Sequence, residues 1–237
     1  MVWGGGQLRV DLVGLKGMAA VCVRQGRGGC APVCEAYAQG MTRYELHATD
    51  PIVLFGEWME EAEKSEPNDP NAAALATATA AGVPSVRMVL MKQVRGAGFC
   101  FFTNAESEKG VQLAENPRAA MCFHWKTLRR QVRVAGSVSE LPGAEVDGYF
   151  HSRSRRSQLG AAVSDQSRPL ESREVLEGRV RRFAERNPGE VPRPEYWRGY
   201  CLRAERMEFW VDGPDRLHDR FVFSANDGGW SVGRLYP

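Results

Sequence analysis

From Asp50 onward the apolar positions recur first at helical spacing and then in alternation. Ile52, Phe55, Trp58, Met59 and Ala62 lie three or four apart with acids between them, which predicts one amphipathic helix. Asp50-Pro51 suits its start: the aspartate can accept from free first-turn N–H groups, and proline is preset for the first helical position. Glu66-Pro67-Asn68-Asp69-Pro70 ends it in a loop. The pattern then shortens to strands over residues 73–80, 85–94, 98–103, 118–125 and 130–141, the first two joined by Ala81-Gly82-Val83-Pro84. Asn104 is expected to cap a short helix through Glu115, stopped by Asn116-Pro117. Helical patterns return over 142–153, 157–163 and 171–186, the last with Leu176, Val180 and Phe183 as its stripe. Strands over 200–210, 220–224 and 230–235 finish the chain. Short strands in a meander, with helices inserted and flanking, predict a mainly β fold with flanking helices, closed into a barrel or split barrel.

The first 49 residues show no such pattern. Residues 1–35 are rich in glycine (Gly4-Gly5-Gly6, Gly26, Gly28, Gly29) and hold only Asp11 and Glu35 as acids. Residues 1–49 are expected to be a disordered extension, with Met18 or Met41 as alternative starts, and residues 50–237 to be one domain. A secretory signal needs a longer apolar core after its basic start. The arginines and scarcity of acids would suit a targeting peptide, but serine is absent from residues 1–35.

Composition narrows the function classes. Of the 237 residues 43% are hydrophobic, enough for a sizeable core, and the formal charge of +2 is too small to favour a nucleic-acid partner. No apolar run reaches the roughly 20 residues of a membrane helix. The six cysteines do not pair into a zinc pattern: Cys30 and Cys34 have a metal-like gap, but no second Cys/His pair follows. No metal is expected, and free thiols suit a reduced, cytoplasmic protein.

The densest candidate chemistry is Arg216-Leu217-His218-Asp219-Arg220, just after Met207-Glu208-Phe209-Trp210. If extended, this segment sends Arg216, His218 and Arg220 to one face. That face suits an anionic, hydrogen-bonding small molecule such as a phosphate ester; a solvated strand end is the plain alternative.

Seven segments occur in an order that resembles the pyridoxine (pyridoxamine) 5′-phosphate oxidases. They are Arg87-Met88-Val89-Leu90-Met91-Lys92, Phe101-Phe102-Thr103-Asn104, Arg130-Gln131-Val132-Arg133-Val134, Tyr149-Phe150-His151-Ser152-Arg153, Ser157-Gln158-Leu159-Gly160-Ala161, Glu208-Phe209-Trp210 and Arg216-Leu217-His218-Asp219-Arg220. The chain also ends Arg234-Leu235-Tyr236-Pro237 as that family does. The resemblance spans roughly residues 50–237. It implies a homodimeric FMN-binding split β-barrel that oxidises pyridoxine 5′-phosphate or pyridoxamine 5′-phosphate to pyridoxal 5′-phosphate, with O2 as acceptor and H2O2 as product.

The resemblance also assigns residues. FMN would contact Arg87, Met88, Val89, Leu90, Met91, Lys92, Phe102, Thr103, Lys109, Gln131, Gln166, Ser167, Trp210 and Arg220. Lys92, Tyr149, Arg153 and Ser157 would hold the substrate phosphate, two cations, a phenol and a hydroxyl being a fitting clamp for a phosphomonoester. Arg216, Leu217 and His218 would lie over the substrate ring, with Arg216 and His218 as the catalytic pair. His151 is expected to be structural, and His47 and His124 have no evident partner.

Three departures from the family pattern stand out. Ser107-Glu108-Lys109 puts an anion where many relatives carry a cation beside the FMN phosphate. Cys34-Glu35-Ala36-Tyr37 lacks the basic residue that precedes a substrate-lid tyrosine. Ser154 replaces a common proline. Two other classes stay open: a split-barrel FMN protein with another substrate, and a non-enzymatic module that holds pyridoxal phosphate or uses Arg129-Arg130 and Arg153-Ser154-Arg155-Arg156 on nucleic acid.

Overall fold

The computed structural model describes residues 44–237 in full and, as backbone, strands β1 (Val10–Leu15) and β2 (Met18–Val23). These two strands pair antiparallel, Val10 opposite Val23, within the stretch where the sequence pattern predicts no regular element. Tyr37, Cys30 and Cys34 lie outside the described residues.

Helix α1 (Pro51–Ser65) begins as its sequence predicts, with the Asp50 carboxylate accepting from the Ile52 N–H at 2.8 Å. It buries Leu54, Phe55, Trp58, Met59 and Ala62. Phe55 meets Phe99 and Phe123 edge-on at 4.9 and 5.0 Å, and Trp58 meets Phe209 at 5.1 Å. Truncating such a fully buried ring to alanine costs about 3–5 kcal/mol through lost contacts and the cavity left behind. The folded body reaches back to Tyr44, whose hydroxyl accepts from Trp58 Nε1 at 3.0 Å and whose N–H donates to Asp219 Oδ2 at 2.9 Å.

Nine strands form one antiparallel sheet curled into a half-barrel: β3 (Ala72–Ala78), β4 (Pro84–Leu90), β5 (Gln93–Arg95), β6 (Gly98–Asn104), β7 (Arg118–Trp125), β8 (Arg130–Glu140), β9 (Trp197–Val211), β10 (Asp219–Asn226) and β11 (Gly229–Arg234). The main path runs β11-β10-β9-β8-β7-β3-β4, and β9 also pairs with β6 through its first half. A bulge between Ala135 and Gly136 lets β8 follow the long β9 around the curve. Only glycine fits there, because a Cβ at position 136 would sit 1.9 Å from the Arg203 carbonyl oxygen.

Residues 85–94 are not one strand. The chain leaves β3 at Met91, which turns into the main core, and its backbone bonds instead to Asn71; Lys92 N–H then donates to Cys100 O at 2.8 Å. The switch of partner from β3 to β6 leaves Lys92 at a corner, exposed. Helices α2 (Glu108–Glu115), α3 (Gly143–Ser152), α4 (Arg155–Val163) and α5 (Arg173–Arg186) flank the sheet. Val146, Phe150, Leu159, Val191 and Trp197 form a second, smaller core beneath α3 and α4.

Candidate active site

A cleft of about 690 Å³ lies where β4, β6 and helices α2, α3 and α4 converge. Eleven residues named from the sequence border it: Met88, Val89, Leu90, Lys92, Phe102, Thr103, Lys109, Tyr149, Arg153, Ser157 and Gln166. Asn104, Ser154, Gly160, Ala161, Ser164 and Trp197 also line it and were not singled out as site residues. Trp197 carried a signal, being a large aromatic opening the longest strand.

Lys109 is buried beside this cleft. Its Nζ donates to Gln166 Oε1 at 2.7 Å, Ser107 Oγ at 3.1 Å and Thr103 Oγ1 at 3.2 Å. Burial, reinforced by the charge of Arg87, lowers its pKa to about 8. Arg87 borders the network rather than the cleft, its guanidinium donating to Thr77 Oγ1 at 2.6 Å and the Leu75 carbonyl at 3.1 Å. Burial likewise lowers the Arg87 pKa, while the Glu108 carboxylate opposes the shift. Glu108 itself is exposed, and its carboxylate accepts at 3.3 Å from Nε2 of the buried Gln112, whose Oε1 accepts from the Thr77 and Ser85 hydroxyls.

Ser107, not Asn104, caps α2, accepting from the Gly110 N–H. Asn104 closes the preceding turn, with Oδ1 accepting from the Glu106 N–H at 2.7 Å, and its Nδ2 donates to the Ser164 carbonyl. Two polar caps in tandem were available, and the chain starts its helix at the later one. Gly110 is required by that tight entry, since a Cβ would fall 2.1 Å from the Ala105 carbonyl oxygen.

On the α3 side, Phe102 stacks on Tyr149 at 4.0 Å and on Trp197 at 5.4 Å. The Arg153 guanidinium lies over Trp197 at 5.0 Å. Its Nη1 is buried with no acceptor among the described residues, and burial lowers its pKa. Ser154 is the N-cap of α4 and accepts from the Ser157 N–H at 3.3 Å, so the residue in the proline's place holds the turn. Among the described residues Arg87, Lys92, Lys109 and Arg153 form no ion pair, whereas Arg129, Arg133 and Arg220 each have a carboxylate partner.

The remaining named residues do not join the cleft. Met91 is in the main core, Ser167 is exposed at φ 71°, and Gln131 borders a separate cleft of about 540 Å³ that shares only Met88 with the first. The Arg216–Arg220 stretch does not present alternating faces, because Pro214–Arg216 is a 3-10 turn with Asp215 and Arg216 at φ 52° and 64°. Arg216 and Leu217 are exposed. His218 packs on Trp210 at 4.6 Å; its Nδ1 accepts from the Gly213 N–H and lies 3.1 Å from Asp212 Oδ1. Arg220 donates from Nε and Nη2 to the buried Glu208 carboxylate at 2.9 and 2.7 Å. Outside both regions, His47 pairs with Glu57 at 2.7 Å and His151 with Glu190 at 3.2 Å.

Comparison with known proteins identifies the family. Residues 59–187 match the family described as pyridoxamine 5′-phosphate oxidase, and residues 197–237 match the pyridoxine 5′-phosphate oxidase C-terminal dimerisation region. The pyridoxine/pyridoxamine 5′-phosphate oxidase of Maricaulis maris is 55% identical over 212 residues, covering 87% of this chain and 96% of its own. That of Erythrobacter litoralis is 53% identical over 208 residues, covering 86% and 98%. PhzG from Burkholderia lata, solved with tetrahydrophenazine-1-carboxylic acid, superposes with a TM-score of 0.76 at 30% identity, covering 80% of this chain and 94% of that one. An FMN-binding protein of Nostoc punctiforme shares the fold at a TM-score of 0.64 and 16% identity, covering 78% and 95%. No helix among the described residues is long and apolar enough to cross a membrane. The chain belongs to the pyridoxamine 5′-phosphate oxidase family and is an oxidoreductase.

Proposed function

We propose that this chain is an FMN-dependent oxidase that converts pyridoxine 5′-phosphate and pyridoxamine 5′-phosphate to pyridoxal 5′-phosphate. The observation that carries this reading is a cleft bordered by cations that have no ion-pair partner among the described residues, one of them with a buried guanidinium nitrogen lacking an acceptor there. Buried cations without counter-charges are costly, and a phosphate dianion supplies both the charge and the acceptors.

The residues fit two phosphates and two flat rings. Lys109, with Arg87 behind it and the hydroxyls of Thr103 and Ser107 at its side, suits the FMN phosphate. Lys92, Arg153, Tyr149 and Ser157 suit the phosphate of the substrate, and Met88 and Leu90 offer apolar surface to a ring. Bound at these residues, FMN would supply the redox chemistry, a two-electron oxidation of the substrate at C4′ with O2 as final acceptor and H2O2 as product.

The second part of the reading is a homodimer in which the partner's C-terminal segment completes the cleft. Within one chain, Arg216 and His218 lie outside it, on the segment matched by the dimerisation region. Edge strand β4 exposes Val86, Met88 and Leu90, apolar surface suited to burial against a second copy. In such a dimer Arg216 orients the substrate ring. With Nδ1 accepting from Gly213, neutral His218 carries its proton on Nε2; with Nδ1–H donating to Asp212, it presents Nε2 as a base toward the 4′ substituent. The PhzG likeness raises a phenazine-like acid as another substrate, but a clamp of Lys92, Arg153, Tyr149 and Ser157 suits a phosphate ester better.

The test is a visible spectrum of the purified protein with FMN, followed by pyridoxine 5′-phosphate without oxygen. Flavin absorbance should bleach on addition and recover in air. A flavin that stays oxidised contradicts the substrate, and failure to bind FMN at all contradicts the cofactor.

A further inference from the structure

Cys100 on β6 and Cys201 on β9 are direct cross-strand partners, and both are free thiols. The hydrogen-bond pattern fixes which kind of pair they form. Ala204 N–H donates to Ala97 O at 2.8 Å, so the hydrogen-bonded positions run 97/204, 99/202 and 101/200. Cys100 and Cys201 therefore occupy a non-hydrogen-bonded site, and the Cys100 carbonyl indeed points the other way, to Lys92 N–H on the opposite side. In such sites the Cα atoms approach to about 4.5 Å with the side chains close together. That separation falls inside the roughly 4.4–6.8 Å window of disulfides.

The surroundings favour sulfur chemistry. Position 98, the same-face neighbour of Cys100, is glycine, and a Cβ there would lie 2.5 Å from Cys201 Sγ; the sulfur leans over β6 into the space that Gly98 leaves. Cys100 is fully buried while Cys201 is partly exposed, so one sulfur of the pair can meet a solute. Arg95, paired with Glu145 at 2.6 Å, adds a cation nearby.

We propose that Cys100 and Cys201 are a redox modification site, closing to a reversible cross-strand disulfide on reaction with hydrogen peroxide. Cys201, the partly exposed sulfur, reacts first: it passes its proton to the Cys100 thiolate as its sulfur attacks H2O2, an S–O bond forms, the O–O bond breaks, and the leaving hydroxide takes a solvent proton and departs as water. Cys100 sulfur then attacks the sulfenic sulfur, the S–S bond forms, and the hydroxyl leaves as a second water with the remaining thiol proton. Two thiols lose two electrons and two protons, and the peroxide is reduced to two waters. The Cys100 pKa is lowered to about 7, first by hydrogen bonding to the Cys201 thiol and then by Gln93 and Arg95, while that of Cys201 is raised. The first proton therefore leaves Cys100, and the one that remains rests on Cys201, hydrogen-bonded to the Cys100 sulfur. Cys122, whose pKa burial raises, has no cysteine opposite it, since it faces Ala74 and Arg133. The site needs only an oxidant of this class and does not rest on the reaction proposed above.

The test uses the full chain with Cys22, Cys30 and Cys34 changed to serine, so that Cys100, Cys122 and Cys201 are the remaining thiols. After treatment with H2O2, denaturation and alkylation, peptide mass mapping should find the Cys100 and Cys201 peptides linked, lighter by two hydrogens, and separated again by dithiothreitol. Cys122 should stay alkylatable. The same linked peptide is expected from the unsubstituted protein, which guards against misfolding of the variant. In C201S no linked peptide should form. Cys201 advancing to sulfinic acid, or both thiols remaining alkylatable, with no linked peptide in either protein, would overturn the proposal.

Discussion

The cleft and the C-terminal basic segment carry the same residue types in opposite states. In the cleft, Lys109 is buried among neutral acceptors and Arg153 keeps a guanidinium nitrogen unsatisfied. In the C-terminal segment, Arg220 is held by Glu208, His218 by Gly213 and Asp212, and Arg216 stands in solvent. A cation buried without a counter-charge holds a site at a cost in stability and is prepared for an anion. A cation already paired contributes orientation, and its partner carboxylate sets where it points. The first region therefore reads as a receptor for an anion, and the second as a segment whose cations, Arg216 excepted, already have partners.

The sharpest way to break this contrast is to remove Arg153. Arg153→Ala should raise KM for the phosphorylated substrate by a factor of roughly 30–150, matching about 2–3 kcal/mol for a charge-assisted bond. The flavin spectrum should be unchanged. An equal loss of FMN would mean that the two phosphate positions are not separate.

Lys109 sharpens it next. Lys109→Met should weaken FMN binding roughly 10–30-fold, about 1.5–2 kcal/mol, by fluorescence titration. In the unsubstituted protein the anion affinity should be full below pH 8 and fall as pH rises through the Lys109 pKa of about 8. The sign for folding is opposite. The lysine's ordinary pKa is 10.5 and its folded value is lower, so the penalty of burying its charge is present below about 8 and is relieved between 8 and 10.5. Unfolding curves of the FMN-free protein should show Lys109→Met losing this rise.

Glu108 should matter least. It is exposed at the first turn of α2, where it supports the helix N-terminus but opposes an incoming anion. Glu108→Lys should tighten FMN roughly two- to fivefold, an effect that shrinks with salt. A larger effect would place the carboxylate on the cleft side.

Much of this was legible in the sequence because the signals were local. The helix Pro51–Ser65 follows from its cap and periodicity, and the cleft side chains cluster because Arg87–Lys92, Phe102–Lys109 and Tyr149–Ser157 fall on adjoining elements. What alternation could not show was where a strand changes partner, as at Met91-Lys92, or which of two caps wins, as with Ser107 over Asn104. Nor could it show left-handed backbone at Asp215 and Arg216, which removes the shared face expected of Arg216, His218 and Arg220. Trp197 was missed because its role is stacking on Phe102 and carrying Arg153, contacts made across the fold.

The central claim, that the receptor cleft of one chain is completed by the C-terminal segment of another, is tested most directly by subunit complementation. Assayed with substrate well below the raised KM of Arg153→Ala, that variant and the double variant Arg216→Ala/His218→Ala should each be nearly inactive alone. After subunit exchange, half of the dimers are mixed and each has one intact site, so activity should return to about a quarter of the unsubstituted protein's. Activity no higher than that of the two parents, with exchange verified by mass, would contradict a site shared between chains.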